Sequence, residues 1–265
     1  VKSESYRDAI PYLRAATFFT DRQDNFNKLA RYWLAQAYYY TEDYDSAIEI
    51  FNDLYNLSAL EYQDEGKLIP YDLAYSYFKK EDYSDASRWF DRYIDSRNPG
   101  NRLDAMTRRA DCDFLVKNYK GAIAEYQKVL TEFPDPDYVY PYYQMGIAYG
   151  LSGNTESKIS ILKNVKEADP DSPFYPEALY ELGRSYVTNR NDAEALNCFT
   201  LLKDNAKDST FIAKALIEMG MIYRNRTDYD EALKYYKQVV DQMPGSGSAE
   251  DALLALESIY QTTGE

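Results

Sequence analysis

One phrase recurs along this chain. It reads Glu42-Asp43-Tyr44-Asp45-Ser46-Ala47, then Glu81-Asp82-Tyr83-Ser84-Asp85-Ala86, then Lys117-Asn118-Tyr119-Lys120-Gly121-Ala122, then Thr227-Asp228-Tyr229-Asp230-Glu231-Ala232. Two eroded copies lie between the last two and end at Lys158 and Ala195. With Ala9 in front, the anchor position falls at Ala9, Ala47, Ala86, Ala122, Lys158, Ala195 and Ala232, at intervals of 38, 39, 36, 36, 37 and 37 residues. A unit of that length cannot bury its apolar face alone and must stack on its neighbours. The period therefore predicts a solenoid, and a solenoid of this kind is expected to bind other molecules.

Each period holds two helical stretches and a short turn. Leu34, Ala35 and Tyr38 share a helix face, Thr41-Glu42-Asp43 turns, and Tyr44 opens a second helix with Ala47, Phe51 and Leu54 on one side. No run sustains the period-two alternation of a strand, so the class is all-α. Three periods close on Pro134, Pro170 and Pro244, where a residue without an N–H ends the second helix.

These positions resemble the tetratricopeptide repeat family. The family's large apolar position reads Leu34, Leu73, Arg109, Met145, Leu182, Met219 and Leu256. The small position beside it reads Ala35, Ala74, Ala110, Gly146, Gly183, Gly220 and Glu257, and the aromatic position reads Tyr38, Tyr77, Asp113, Tyr149, Tyr186, Tyr223 and Tyr260. Four residues past each anchor stand Leu13, Phe51, Phe90, Tyr126, Leu162, Phe199 and Tyr236. The resemblance implies a right-handed alpha-alpha superhelix of antiparallel helix pairs. The expected organisation is a single array over residues 1–265: a leading second helix at about 5–19, six helix pairs at about 28–244, and a trailing first helix at about 248–262. Because the chain begins at Val1 on a half repeat, it is expected to be a fragment of a longer protein.

Repeat three breaks the pattern, with Arg109 and Asp113 in place of an apolar residue and an aromatic. Four apart, they can meet on one helix face. Either both are buried as an ion pair that needs further hydrogen bonds, or the helix turns and exposes both. Longer connections at 21–27 and 58–66 read as tolerated surface insertions or as binding loops.

Lys and Arg number 30 against 44 Asp and Glu, a net charge of −14. That balance disfavours nucleic acid and serves solubility. There is no histidine, which removes the commonest general base and metal ligand. Cys112 and Cys198 fall on different kinds of helix in different repeats and read as small buried hydrophobes rather than a pair. No Gly-rich phosphate loop and no Cys-x-x-Cys occurs. The acidic turns Asp135-Pro136-Asp137 and Asp169-Pro170-Asp171-Ser172 lack calcium-loop spacing and read as caps for the next helix. Asn225-Arg226-Thr227 fits a glycosylation acceptor but falls at a helix–turn junction. No cofactor, no metal and no catalytic residue is expected, and no run of 18 apolar residues could cross a membrane.

The 29 tyrosines carry the functional reading. In the family, the first helices line the concave surface. Carried over by position, that surface includes Tyr32, Gln36 and Tyr39 in repeat one and Tyr71, Tyr75 and Phe78 in repeat two. It includes Tyr140 and Tyr143 in repeat four, Tyr180 and Arg184 in repeat five, and Arg224 in repeat six. Tyrosine suits recognition, with a large rigid ring and a hydroxyl that tolerates water. Either these rings line a groove for a peptide or protein partner, or they pack against neighbouring repeats. The expected function is a non-catalytic scaffold or adaptor. The alternatives are a docking domain of a larger enzyme and self-association through the terminal helices. The closing stretch, Ala232 to Tyr236 and Pro244 to Ala252, is similar to repeats of bacterial envelope proteins of the outer-membrane assembly and Tol-Pal types, and the tyrosine-rich style to those of Bacteroides-like bacteria. This implies a periplasmic or envelope-associated setting, with a cytoplasmic adaptor as the rival.

Overall fold

The computed structural model describes residues 2–264 apart from 22, 23, 59, 61, 62 and 97–99, with the side chains of 2–4 also outside the description. Parts of both long connections, 21–27 and 58–66, therefore lie outside the described residues. All regular structure among the described residues is helical. The chain divides into two compact units, residues 1–133 and 134–265.

The first unit holds α1 (Lys2–Phe19), α2 (Asn25–Tyr40), α3 (Tyr44–Asn56), α4 (Asp64–Lys79), α5 (Tyr83–Asp95), α6 (Arg102–Leu115) and α7 (Tyr119–Glu132). The second holds α8 (Val139–Leu151), α9 (Thr155–Leu162), α10 (Tyr175–Thr188), α11 (Asp192–Asn205), α12 (Ser209–Asn225), α13 (Tyr229–Gln242) and α14 (Ser248–Thr263). Within each unit every helix packs on the next, and alternate helices also touch, α2 with α4 and α10 with α12. Each unit is thus an all-α solenoid of paired antiparallel helices.

The recurring phrase builds the turn inside each pair. Glu42, Glu81, Lys117, Gly153, Arg190 and Thr227 all adopt left-handed backbone, with φ from 56° to 76°. The Glu42 N–H donates to the Tyr39 carbonyl at 3.1 Å and the Asp43 N–H to the Tyr38 carbonyl at 2.9 Å. These bonds satisfy the last free carbonyls of α2 in a Schellman arrangement. Asp43 then caps α3, accepting from the Ser46 N–H at 3.2 Å. Asp82, Asn118, Asn154, Asn191 and Asp228 do the same three residues upstream of Asp85, Gly121, Ser157, Glu194 and Glu231. The first residue of the phrase ends one helix and the second starts the next.

The anchors Ala47, Ala86, Ala122, Ala195 and Ala232 are fully buried, as are Phe51, Phe90 and Phe199 four residues later. The glycines at the small position let a ring or leucine from the second helix sit against bare backbone. The eroded anchor Lys158 lays its stem along Gly150 and reaches Glu181 Oε2 at 2.6 Å, so its charge leaves the packed layer. After α9 the chain tightens into a 3-10 stretch, Lys163–Glu167. Leu162, Val165 and Ala168 are buried there, and their spacing of three matches the 3-10 repeat.

Both cysteines are free and buried. Burial pushes their thiols up, Cys112 to about 12 and Cys198 to about 11. Arg109 and Asp113 are buried for the most part, with side-chain exposures of 17% and 16% and a 2.7 Å contact. The pair has the further hydrogen bonds that burial demands: Arg109 Nε donates to Asp91 on α5 at 3.0 Å, and Asn118 Nδ2 donates to Asp113 Oδ1 at 3.0 Å. The acidic turns differ from expectation. Asp135 and Asp169 fold their own loops, accepting from the Asp137 and Asp171 N–H groups, and Asp137 accepts from the Asp169 N–H at 2.7 Å. The residues preceding α8 and α10 are Tyr138 and Phe174, with no side-chain cap. The Asp135, Asp137 and Asp169 carboxylates are instead engaged by N–H groups of the loops themselves.

Candidate functional site

In the first unit the first helices of the pairs are α2, α4 and α6. Tyr32 and Gln36 on α2 are buried. The Tyr32 hydroxyl donates to Asp72 Oδ2 on α4 at 2.9 Å, and Gln36 Nε2 donates to the Tyr32 hydroxyl at 3.0 Å. Burial holds the Tyr32 hydroxyl protonated far above its ordinary range, and the Asp72 charge adds to this. Burial likewise pushes the Asp72 carboxyl up to about 7, against the hydrogen bonds from Gln36 and Tyr32.

Tyr71 and Tyr75 on α4 are half-buried. Both hydroxyls donate to Asp104 Oδ2 on α6, Tyr71 at 2.7 Å. Their rings meet edge to face at 4.9 Å. Both rings and that of Phe78 surround Phe90 of α5. Tyr39, half-buried, packs edge to face on Tyr40 and Tyr44, and burial pushes its hydroxyl up to about 12. Arg108 on α6 lies 3.6 Å from Asp104 and pairs with Asp111, which also accepts from the Tyr126 hydroxyl.

In the second unit the first helices are α8, α10, α12 and α14. Tyr140 and Tyr143 on α8 meet the ring of Phe174, at 4.8 Å and, nearly parallel, at 5.9 Å. The Tyr180 hydroxyl on α10 donates to Glu218 Oε1 on α12 at 3.0 Å. Burial, then the Glu218 charge, pushes that hydroxyl up to about 12. Glu218 is itself buried, which raises its carboxyl against the Tyr180 hydrogen bond and the Arg184 charge. Arg184 is exposed and stands 3.6 Å from Glu218. Arg224, partly exposed, is on α12.

A common device links these places. A tyrosine on one first helix donates to a carboxylate on the next: Tyr32 to Asp72, Tyr71 to Asp104, Tyr180 to Glu218. Each bond fixes a ring and satisfies a partly desolvated charge. The rings of Tyr39, Tyr71, Tyr75, Phe78, Tyr140, Tyr143 and Tyr180 remain half-exposed. Sequence reasoning passed over Asp72, Glu218 and Phe174. A signal existed for the first two: the position before the large apolar residue carries Asp72, Glu181 and Glu218 in three repeats. Phe174 lies in a connection outside the repeat frame and had no such signal.

Among the described residues no group of three or more His, Cys, Asp or Glu could hold a metal ion, and no helix is long and apolar enough to cross a membrane. The arrangement offers rigid aromatic and hydrogen-bonding surface, which defines a helical-repeat scaffold.

Tetratricopeptide repeat profiles match residues 1–61 and 71–136, and again residues 213–246, together more than half of the chain. The chain belongs to the tetratricopeptide repeat family. Among solved structures it is similar to the C-terminal part of a tetratricopeptide repeat-containing protein from Cytophaga hutchinsonii. Identity is 17%, with 95% of this chain and 96% of that one covered, at a TM-score of 0.75. It is also similar to pilF of Pseudomonas aeruginosa, at 13% identity, 84% and 95% coverage and a TM-score of 0.54. MamA from Desulfovibrio magneticus matches at 18% identity, 67% and 93% coverage and a TM-score of 0.53. At these identities the likeness is one of fold. No curated protein sequence matches the chain.

Proposed function

We propose that this protein is a non-catalytic scaffold that holds a peptide or protein partner on the half-exposed aromatic faces of its first helices. Protein–protein interaction is the general role of tetratricopeptide repeats. The finer reading rests on one observation: the Tyr71 and Tyr75 hydroxyls are both held by Asp104. Rings fixed before binding lose little conformational freedom when a partner arrives. Tyr32 and Gln36 form the buried support of this face, and Tyr39 and Phe78 extend it.

A photoreactive phenylalanine derivative at position 78 tests the proposal, with the same group at the exposed position 88 of the second helix α5 as control. Crosslinks to one discrete partner from position 78 alone support it. Equal crosslinking from both positions would move the contact off this face.

A second reading has its own observation. Phe18 and Phe19 on α1 are each 81% exposed, and Leu253 and Leu254 on α14 are more than half exposed. Apolar surface of this kind suits self-association. Light scattering across concentrations decides, since a constant monomer mass removes this reading. We also propose an envelope-associated setting, on the resemblance of the closing repeat to bacterial envelope proteins; cell fractionation tests it.

A further inference from the structure

Phe174 precedes α10 with φ 67° and ψ 5°. Left-handed backbone is a genuine outlier for a bulky residue outside the helix-ending turns, and conformations of this kind persist only where the surroundings hold them. Here the surroundings are two rings. Phe174 lies nearly parallel to Tyr143 and tilted against Tyr140, and the ring remains 39% exposed. Elsewhere in the second unit the chain covers such rings with its own cations: Lys166 lies 5.6 Å from the Tyr186 ring and Lys214 5.0 Å from that of Phe211. Among the described residues no cation of the chain stands over Tyr143 or Phe174.

The charge nearby has the opposite sign. Burial, then the charges of Glu181 and Glu177, raises the Tyr143 hydroxyl, and Glu177 stands in the first turn of α10, three residues past Phe174. Glu181 is held by Lys158 at 2.6 Å, whereas Glu177 has no ion-pair partner among the described residues. An exposed aromatic face beside an unpaired carboxylate is the chemistry that recognises a cationic side chain.

We propose that Tyr143, Phe174 and Glu177 form a site for a lysine or arginine side chain of a partner protein. The inference deepens the scaffold reading, but it concerns the second unit only. It is therefore tested independently of crosslinking at position 78.

The experiment is an NMR titration of the whole chain with a blocked Gly-Lys-Gly peptide, against blocked Gly-Leu-Gly and Gly-Glu-Gly. Saturable shifts at Tyr143, Phe174 and Glu177 with the lysine peptide alone are expected. Phe174→Gly removes the ring and relieves the backbone, so it should weaken this binding about two- to fivefold while leaving the melting temperature equal or higher. Glu177→Gln should weaken it similarly with the ring intact. Equal shifts with the leucine peptide, no shifts at these residues, or unchanged affinity in both variants would overturn the proposal.

Discussion

The ring of Phe199 on α11 lies so close to Gly183 of α10 that a Cβ on the glycine would meet Cε1 at 2.6 Å. The same relationship joins Gly146 to Leu162 at 2.6 Å and Gly220 to Tyr236 at 2.7 Å. In the first unit Ala35, Ala74 and Ala110 hold the equivalent position, fully buried. Helix pairs in the second unit therefore have less room at this layer for a side chain.

Gly183→Leu should cost about 1–3 kcal/mol through overpacking, read from urea denaturation. Gly183→Ala is the sharper test. Alanine gains about 1 kcal/mol of helix propensity over glycine, so a net loss of stability measures the clash with Phe199. A net gain would show that the ring moves aside freely.

The left-handed turn position predicts opposite effects in two repeats. Lys117 and Gly153 share this conformation, at φ 63° and 76°. An L-residue there costs roughly 1–2 kcal/mol, offset in part by the greater freedom of glycine in the unfolded chain. Lys117→Gly should raise stability by about 0.5–1 kcal/mol, and Gly153→Ala should lower it by about 1 kcal/mol. Thermal melts of both variants check this; matched signs would refute the assignment of the turn.

Asp72 predicts a pH dependence. Its carboxyl titrates near 7 in the folded protein against an ordinary value of 3.8. Between those values the folded state binds more protons than the unfolded state, so this group's contribution to stability falls as pH rises from about 4 to about 7. Asp72→Asn should remove that contribution. The difference between the native and variant melting temperatures should therefore change across this window and be flat above it. A constant difference would mean that Asp72 is already ionised at pH 5.

Arg109 joins Asp91 and Asp113. Arg109→Leu restores the family's apolar residue but leaves the largely buried Asp113 without its cation. A loss of about 2–3 kcal/mol is expected, below the range for fully buried pairs. Arg109→Leu with Asp113→Tyr restores both family residues and should recover part of the loss. Denaturation of the double variant at or below the single one would show that repeat three has repacked around its charges.

The helix pairs and their turns were legible in the sequence because local chemistry determines them. An Asp or Asn beside a left-handed residue ends one helix and caps the next whatever surrounds it, and buried alanine recurs wherever two helices must approach. The eroded repeat was legible from the interval that Lys158 keeps to Ala122 and Ala195, but the 3-10 stretch after α9 was not. The candidate face was legible only as a row of positions.

Which tyrosines on that row are buried is a matter of tertiary structure. Tyr32 and Tyr71 occupy the same repeat position. Tyr32 is buried, with its hydroxyl shared by Asp72 and Gln36, while Tyr71 stays half-exposed on Asp104, one turn before the equivalent place on α6. The burial of Arg109 and Asp113 likewise depended on Asp91 of α5, with Asn118 added from the turn after α6. Phe174 lies outside the repeat altogether. Its position over Tyr140 and Tyr143 is a contact between α8 and the connection before α10, brought about by packing and invisible to any local pattern.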